Sequence, residues 1–266
     1  MDQITARIIT NEKLTEEIYQ LVFYSPELIE QKPVPGQFLH VRVSEHLEPL
    51  LRRPISIHDI DHHLMQCTLI YRVGGKGTQF LREKREGDSL DILGPLGNGF
   101  PMEEINEGEQ VVLLGGGVGI PPLYYLAKEL VKKEIPLTIL LGYNSKEHSF
   151  LIKKFSQVGE VNIATMDGTE GIKGTVVDLI TDYLNEKLLQ TGSTFYACGP
   201  TPMLKAIQNE WLDTPINGYL SLEERMGCGI GACYGCVIKV DTMIDPKGYK
   251  KICQEGPVFS FREVLL

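Results

Sequence analysis

No stretch of the 266-residue sequence is apolar for the roughly 18–20 residues that a bilayer-spanning helix requires. The opening MDQITARIITNEKL has neither the basic region nor the apolar run of a secretory signal, so a soluble, cytoplasmic protein is expected. Positive charge is short: 26 Lys and Arg face 35 Asp and Glu, a formal net charge of -9. A surface that neutralises a phosphate backbone has to be basic, so a nucleic-acid partner is not expected. Cysteine is nearly missing from the first four fifths, where Cys67 and Cys198 stand alone. In a reducing compartment this excludes a disulfide framework. Cys228, Cys233, Cys236 and Cys253 crowd the last fifth, and clustered thiols there suggest a metal or redox site. No internal repeat and no low-complexity segment is present.

What is there divides into three parts. Residues 1–100 carry short alternating segments bounded by Gly, Pro or Asp. They fall near Gln3–Ile9, Tyr19–Phe23, Gln37–Val43, Pro54–His58, Met65–Val73 and Ser89–Leu93. Six such strands predict an antiparallel β-barrel. Residues 101–217 alternate apolar strands with helical patterns, starting at the continuous run Val111–Leu114. Helices are expected near 122–133, 146–155, 176–188 and 202–211, with strands near 137–141, 161–164 and 194–197. This predicts a doubly wound α/β domain. Residues 218–266 form a Gly- and Cys-rich excursion.

Cys228-x4-Cys233-x2-Cys236, followed at a distance by Cys253, matches the plant-type [2Fe-2S] spacing in its first three members. Gly227, Gly229, Gly231 and Gly235 let the loop wrap closely and turn its N–H groups toward the sulfurs. A zinc site normally uses two separated C-x2-C pairs, and only Cys233 and Cys236 form one, so the iron–sulfur reading is preferred. Cys67 reads as a small buried hydrophobe. His62-His63 reads as a surface turn, because neighbours in an extended segment face opposite ways.

Two Gly-rich turns follow strands of the α/β domain. Gly115-Gly116-Gly117-Val118-Gly119-Ile120-Pro121-Pro122 leads into a helix, where a pyrophosphate could meet the helix N-terminus. Pro121 stands where the usual fingerprint has its third Gly or Ala. Cys198-Gly199-Pro200 follows a later strand, and in a parallel sheet both turns lie at the carboxyl edge. Gly116, Gly117, Gly119, Cys198, Gly199 and Pro200 are therefore the candidate nucleotide contacts, with core packing the competing reading for Cys198. In the barrel, Arg53 and Ser56 of the Arg53-Pro54-Ile55-Ser56 strand could reach a phosphate, although taken alone a solvated basic residue on an edge strand is the preferred reading. The Gly74-Gly75-Lys76-Gly77-Thr78 turn offers a second anchor, with Thr78 capping a helix.

In this order, the R-x-x-S strand, G-x-G-T helix, G-P-x-G turn, G-G-G-x-G-x-x-P turn and C-G-P turn resemble the ferredoxin-NADP reductase superfamily along nearly the whole chain. The tail from Glu223 to Cys236 is similar, within that superfamily, to the electron-transfer subunits of B-type NAD-dependent dihydroorotate dehydrogenases. The resemblance implies FAD contacts at Arg53, Pro54, Ile55 and Ser56, at Ile70, Tyr71 and Arg72, and at Gly77 and Thr78. It implies a [2Fe-2S] cluster on the four clustered cysteines, NAD as acceptor, and Cys198 near the nicotinamide. It also implies an FMN-containing catalytic subunit as partner, in a heterotetramer that serves de novo pyrimidine (UMP) biosynthesis. Where Ile55 stands, the superfamily often has a Tyr that stacks on the flavin, and Tyr71 is the candidate substitute.

Flavin and cluster supply the chemistry in such a protein, so no catalytic acid, base or nucleophile is assigned. NAD is expected over NADP, because Gly142–Glu147 holds no Arg for a 2′-phosphate and Glu147 would repel one. Met226, Ile230 and Tyr234, in the weakly charged segment 225–236, are expected to form an exposed apolar docking patch. Competing readings are the flavin subunit of an NADH-dependent ferredoxin oxidoreductase or sulfide dehydrogenase, and a non-catalytic iron–sulfur redox sensor.

Overall fold

The computed structural model describes residues 2–44, 48–105, 108–183 and 193–266. Six strands close into a barrel: β1 (Asp2–Lys13), β2 (Ile18–Tyr24), β3 (Phe38–Val41), β4 (Arg53–Asp61), β5 (Gln66–Arg72) and β6 (Ser89–Leu96). Their order is β1-β2-β5-β4-β3-β6 and every pairing is antiparallel. Period-two alternation drives the closure. Ile4, Ala6 and Ile8 of β1 point inward, to pack with Leu21, Phe23, Leu39, Val41 and Leu69 in one buried cluster. Two helices decorate the barrel, α1 (Pro26–Glu30) and α2 (Lys76–Glu83). Cys67 is fully buried and His62-His63 lies in an exposed turn, both as expected.

The α/β domain is built on β7 (Val111–Gly116), which leads through a 3-10 turn into α3 (Ile120–Lys132). It continues with β8 (Leu137–Tyr143), α4 (Ile152–Phe155), β9 (Glu160–Thr165), β10 (Ile172–Lys173) and α5 (Val176–Tyr183). Next come β11 (Thr194–Cys198), α6 (Thr201–Trp211) and β12 (Asn217–Ser221). The sheet runs β10-β9-β8-β7-β11-β12-β15, with β15 (Val258–Ser260) as an antiparallel edge. The run Val111–Leu114 is apolar throughout because the strand is buried on both faces. Val111 and Leu113 pack beneath α3, and Val112 and Leu114 pack on the opposite side.

The helix expected over 146–155 is two short pieces, a 3-10 turn at Lys146–His148 and α4. Leu151 takes a left-handed φ of 64° between them, and the Phe150 carbonyl accepts a 2.6 Å hydrogen bond from the Tyr143 hydroxyl. The expected stretch 184–188 of the next helix lies outside the described residues. Strand β12 straddles the expected boundary at 217, and β15 returns the tail to the same sheet. Between them, β13 (Val237–Lys239) and β14 (Tyr249–Lys251) form a two-stranded hairpin, followed by α7 (Ile252–Glu255).

Candidate functional site: a cleft between barrel and sheet beside a four-thiol loop

The two Gly turns meet at the switch point of the sheet, where β7 lies between β8 and β11. In such sheets ligands bind outside the carboxyl ends of the strands at that point. A Cβ on Gly119 would come within 2.5 Å of the Cys198 carbonyl, so the turns pack against each other only because this residue has no side chain. Gly119 thus serves turn-to-turn packing. Gly117 has a left-handed φ of 52° and opens on free space, as a ligand-facing residue must. Pro200 and Met203 close over Gly116 and Gly199.

A cavity of about 570 Å³ opens at this edge. Its walls include Gly116, Gly117, Gly119, Cys198, Gly199 and Pro200, and also Ser56 and Arg72 of the barrel. Arg72 is tied to Glu17 by a 2.8 Å ion pair at the mouth. Near the end of β8 the wall residues are Asn144 and His148, while Glu147 is exposed and not among them. The discrimination against a 2′-phosphate expected from Glu147 therefore has no support in the wall. Arg72 alone among the lining residues offers a guanidinium or ammonium. Cys198 is buried at the wall, and burial pushes its thiol up to about 12, so it is a neutral thiol there.

On the barrel, the adjacent arginines part company. Arg52 is fixed to Asp91 at 2.8 Å and to two backbone carbonyls. Arg53 instead lies against the first turn of α2, where a Cβ on Gly77 would come within 2.5–2.6 Å of the guanidinium. A guanidinium over a helix N-terminus is an arrangement suited to an anionic phosphate. Thr78 sits at the third helical position, and its Oγ1 reaches back to accept from the N–H groups of Gly74 and Gly75 at 3.1 and 3.3 Å. It caps from within the helix, not from the N-cap position that the sequence suggested. These residues fit the pyrophosphate of a dinucleotide.

The stacking role expected of Tyr71 fails. Alternation along β5 points Ile70 and Arg72 toward the α/β domain and Tyr71 into the barrel. Its ring stacks on Tyr19 at 5.9 Å and its hydroxyl donates to Asn11 at 3.0 Å. Ile55 also points into the barrel interior, and Pro54 is exposed on the strand.

The four clustered thiols are brought together by the hairpin. The sixteen residues separating Cys236 and Cys253 run through β13, its connecting loop and β14, and the Ile252 N–H donates to the Cys236 carbonyl at 3.0 Å. Backbone N–H groups point at sulfur. Those of Ile230 and Cys233 reach Cys228 Sγ at 3.5 and 3.3 Å, that of Gly231 reaches Cys253 Sγ at 3.1 Å, and that of Gly235 reaches Cys233 Sγ at 3.4 Å. Burial acts to raise the Cys228 thiol, yet the donated N–H groups outweigh it and bring the group down to about 7. Burial and the adjacent Cys236 thiol push Cys253 up to about 12.

Cys228 feels the Cys233 thiol, and Cys253 feels both the Cys236 and the Cys228 thiols, so the four lie in one neighbourhood. Among the described residues no three His, Cys, Asp or Glu side chains converge on a single-ion site. Four thiols within a shell of N–H donors fit a negatively charged iron–sulfur cluster. Gly229 and Gly231 have left-handed φ of 73° and 79° and need the absence of a side chain, whereas Gly227 and Gly235 have room for one.

Around the loop, Ile230 and Tyr234 are exposed but Met226 is buried in the core, so it forms no part of a docking patch. Lys251 lies 4.4 Å from the Tyr234 ring centroid and donates to the Gly231 carbonyl at 2.5 Å, which gives the patch a cation that the segment 225–236 did not reveal.

A closed antiparallel barrel and a doubly wound sheet sharing one cleft define the ferredoxin-reductase class of flavin- and nicotinamide-dependent oxidoreductases, here extended by a thiol-bearing loop. The fold alone is shared with ferredoxin-NADP+ reductase from Plasmodium falciparum, at 15% identity and a TM-score of 0.65, over 80% of this chain and 90% of that one. Residues 223–265 match the family model described as the iron-sulfur cluster binding domain of dihydroorotate dehydrogenase B. Residues 113–209 match the oxidoreductase NAD-binding domain. The dihydroorotate dehydrogenase B (NAD(+)) electron transfer subunit of a Geobacillus species is 47% identical over 100% of both chains. That of Bacillus caldolyticus is 46% identical over 95% of each. The chain belongs to the family of dihydroorotate dehydrogenase B (NAD(+)) electron transfer subunits. A solved NADH-dependent reduced ferredoxin-NADP oxidoreductase, described in work on flavin-based electron bifurcation, is 30% identical with a TM-score of 0.85, over 98% of this chain and 89% of that one.

Proposed function

We propose that the chain takes electrons from a catalytic subunit that oxidises dihydroorotate at FMN and delivers them to NAD, as part of pyrimidine biosynthesis in the cytoplasm. Among the described residues no helix is long and apolar enough to cross a membrane. When bound, the [2Fe-2S] cluster supplies single-electron transfer, and FAD joins it to two-electron chemistry with NAD. The observation that carries this reading is the cleft of about 570 Å³ walled by Ser56 and Arg72 of the barrel together with both Gly turns.

The chain's own residues bind and position. Residues 1–100 would form the FAD unit, with Arg53 and the α2 N-terminus around Gly77 and Thr78 on the phosphates. Ser56 and Arg72 face the cleft, and Pro54, Ile55, Ile70 and Tyr71 contribute backbone on strands β4 and β5. Residues 101–217 would form the NAD unit. There Gly117 admits the dinucleotide, while Gly116, Gly119, Gly199 and Pro200 hold the two turns together and Cys198 forms the wall. Residues 218–266 would form the cluster unit, with Cys228, Cys233, Cys236 and Cys253 as ligands. In this reading no general acid or base is assigned to the chain. The subunit would assemble as a heterotetramer of two copies of each chain. The ferredoxin oxidoreductase reading is the weaker one, since likeness falls from 47% to 30% identity between the two kinds of relative.

The test is Cys233→Ser in the purified complex. Loss of acid-labile sulfide and of dihydroorotate-to-NAD turnover is expected, with FAD content and NADH oxidation by a dye acceptor retained. Full turnover in a variant shown to lack labile sulfide would overturn the route.

A further inference from the structure

His40 stands out among the polar groups that the reading above leaves unused. It lies on β3 among Phe38, Leu39 and Val41, all buried, and is itself 1% exposed. Neither ring nitrogen makes a close hydrogen bond within the chain, to the cysteine sulfurs or elsewhere, although the Arg52 backbone lies near enough to act on the ring. Leaving a buried polar group unpaired costs about 1–3 kcal/mol, so an imidazole is a poor choice for merely filling space in an apolar strand. Two contacts give its position meaning. Across the β3–β4 ladder His40 pairs with Pro54, inside the strand that carries Arg53 and Ser56. On its other side the ring faces the thiol loop: a Cβ on Gly229, the residue after Cys228, would come within 2.6 Å of His40 Nδ1. One imidazole therefore joins the flavin strand to the cluster loop.

Burial and the charges of Arg52 and Arg53 outweigh the Arg52 backbone contact and lower the His40 pKa to about 4. The ring is neutral at physiological pH, with one N–H donor and one acceptor. A cluster of thiolates and sulfides is an anion that gains further negative charge on reduction. Hydrogen bonds to its sulfurs favour the reduced form and raise its potential. We propose that His40 is a positioning residue for the iron–sulfur centre, an imidazole carried by the flavin barrel that faces the Cys228–Cys236 loop at Gly229, donates its N–H to the bound cluster and raises the centre's reduction potential. The inference rests on the cluster assignment made above. It gives the barrel a role in tuning the donor that feeds the flavin, in addition to holding the flavin.

The experiment uses the complex with its catalytic subunit, with this chain labelled with 15N-histidine. Pulsed EPR on the reduced cluster should show a weak 15N coupling that disappears in His40→Gln. An EPR-monitored redox titration should find the cluster harder to reduce in His40→Leu by about tenfold in the reduction equilibrium, or about 59 mV for one electron. His40→Gln, which keeps an N–H donor, should recover part of that shift. Iron, labile sulfide and FAD contents are assayed for each variant, and if His40→Leu fails to load its cluster, the wild-type coupling and its loss in His40→Gln decide the matter. A [2Fe-2S] signal without 15N coupling, a coupling that survives in His40→Gln, or an unchanged potential in loaded His40→Leu would overturn the role of His40 alone. A wild-type complex with no [2Fe-2S] signal would overturn the cluster assignment, and the inference with it.

Discussion

His58 shows how a single buried residue adds acid sensitivity to a fold. It is fully buried on β4, stacks on Tyr124 at 5.1 Å, and its Nδ1 lies 2.8 Å from the Pro121 carbonyl at the start of α3. Burial lowers its pKa from 6.5 to about 4. The unfolded chain therefore binds a proton below about pH 6.5 that the folded chain refuses until about pH 4. Stability is full above that window and falls as pH drops through it, by at most about 3 kcal/mol from this one group. His58→Gln keeps a polar amide but cannot titrate. Its denaturant midpoint should be lower than wild type at pH 7.5, and should decline less between pH 6.5 and 4.5. Parallel declines in the two proteins would assign the acid sensitivity elsewhere. Arg52 and Arg53 carry the complementary lesson: identical neighbours in sequence, one fixed to Asp91 and the other donating to the Leu51 carbonyl and lying against the first turn of α2.

At the scale of elements, α3 is the part that clamps sheet to barrel. Its Tyr125 hydroxyl donates to the Pro33 carbonyl at 2.7 Å, and its Lys128 pairs with Asp59 of β4 at 2.6 Å. Both partners belong to the barrel, so the cleft geometry depends on a helix of the other domain. Tyr125→Phe should cost about 1–2 kcal/mol, because it leaves the buried Pro33 carbonyl unpaired while keeping the ring. Chemical denaturation followed by the fluorescence of Trp211, the one tryptophan in the chain, would measure this. Tyr24→Phe, at an exposed ring, should be near neutral in the same assay. Strand and helix identities were legible because local periodicity and tertiary burial agree along β1 or β7. They diverge at 146–155, where a helical pattern is broken by the need to turn Phe150 back onto Tyr143.

For the whole molecule, the cluster loop is placed to serve two bodies at once. Behind it lies the barrel, through His40, and in front Ile230 and Tyr234 are exposed in a protein of net charge -9. An apolar, aromatic patch beside a redox loop suits a stable subunit interface. Ile230→Asp and Tyr234→Asp should each leave NADH-driven flavin reduction intact and lower dihydroorotate-to-NAD turnover at least tenfold. Undiminished turnover in both, with the complex intact on gel filtration, would move the docking surface elsewhere. The sequence by itself determined the barrel, the sheet, the two Gly turns and the cysteine loop, because each is encoded by short-range pattern: period two, continuous burial, or residues crowded within a dozen positions. It did not show that β15 returns to the sheet, that Gly119 exists to let two turns touch, or that Tyr71 and Met226 point inward. Nor did it single out His40, which is 188 residues from Cys228 along the chain, the difference between their two numbers. Those facts were decided only by the tertiary structure, because facing and contact across long loops depend on how separate elements pack, which no local spacing encodes.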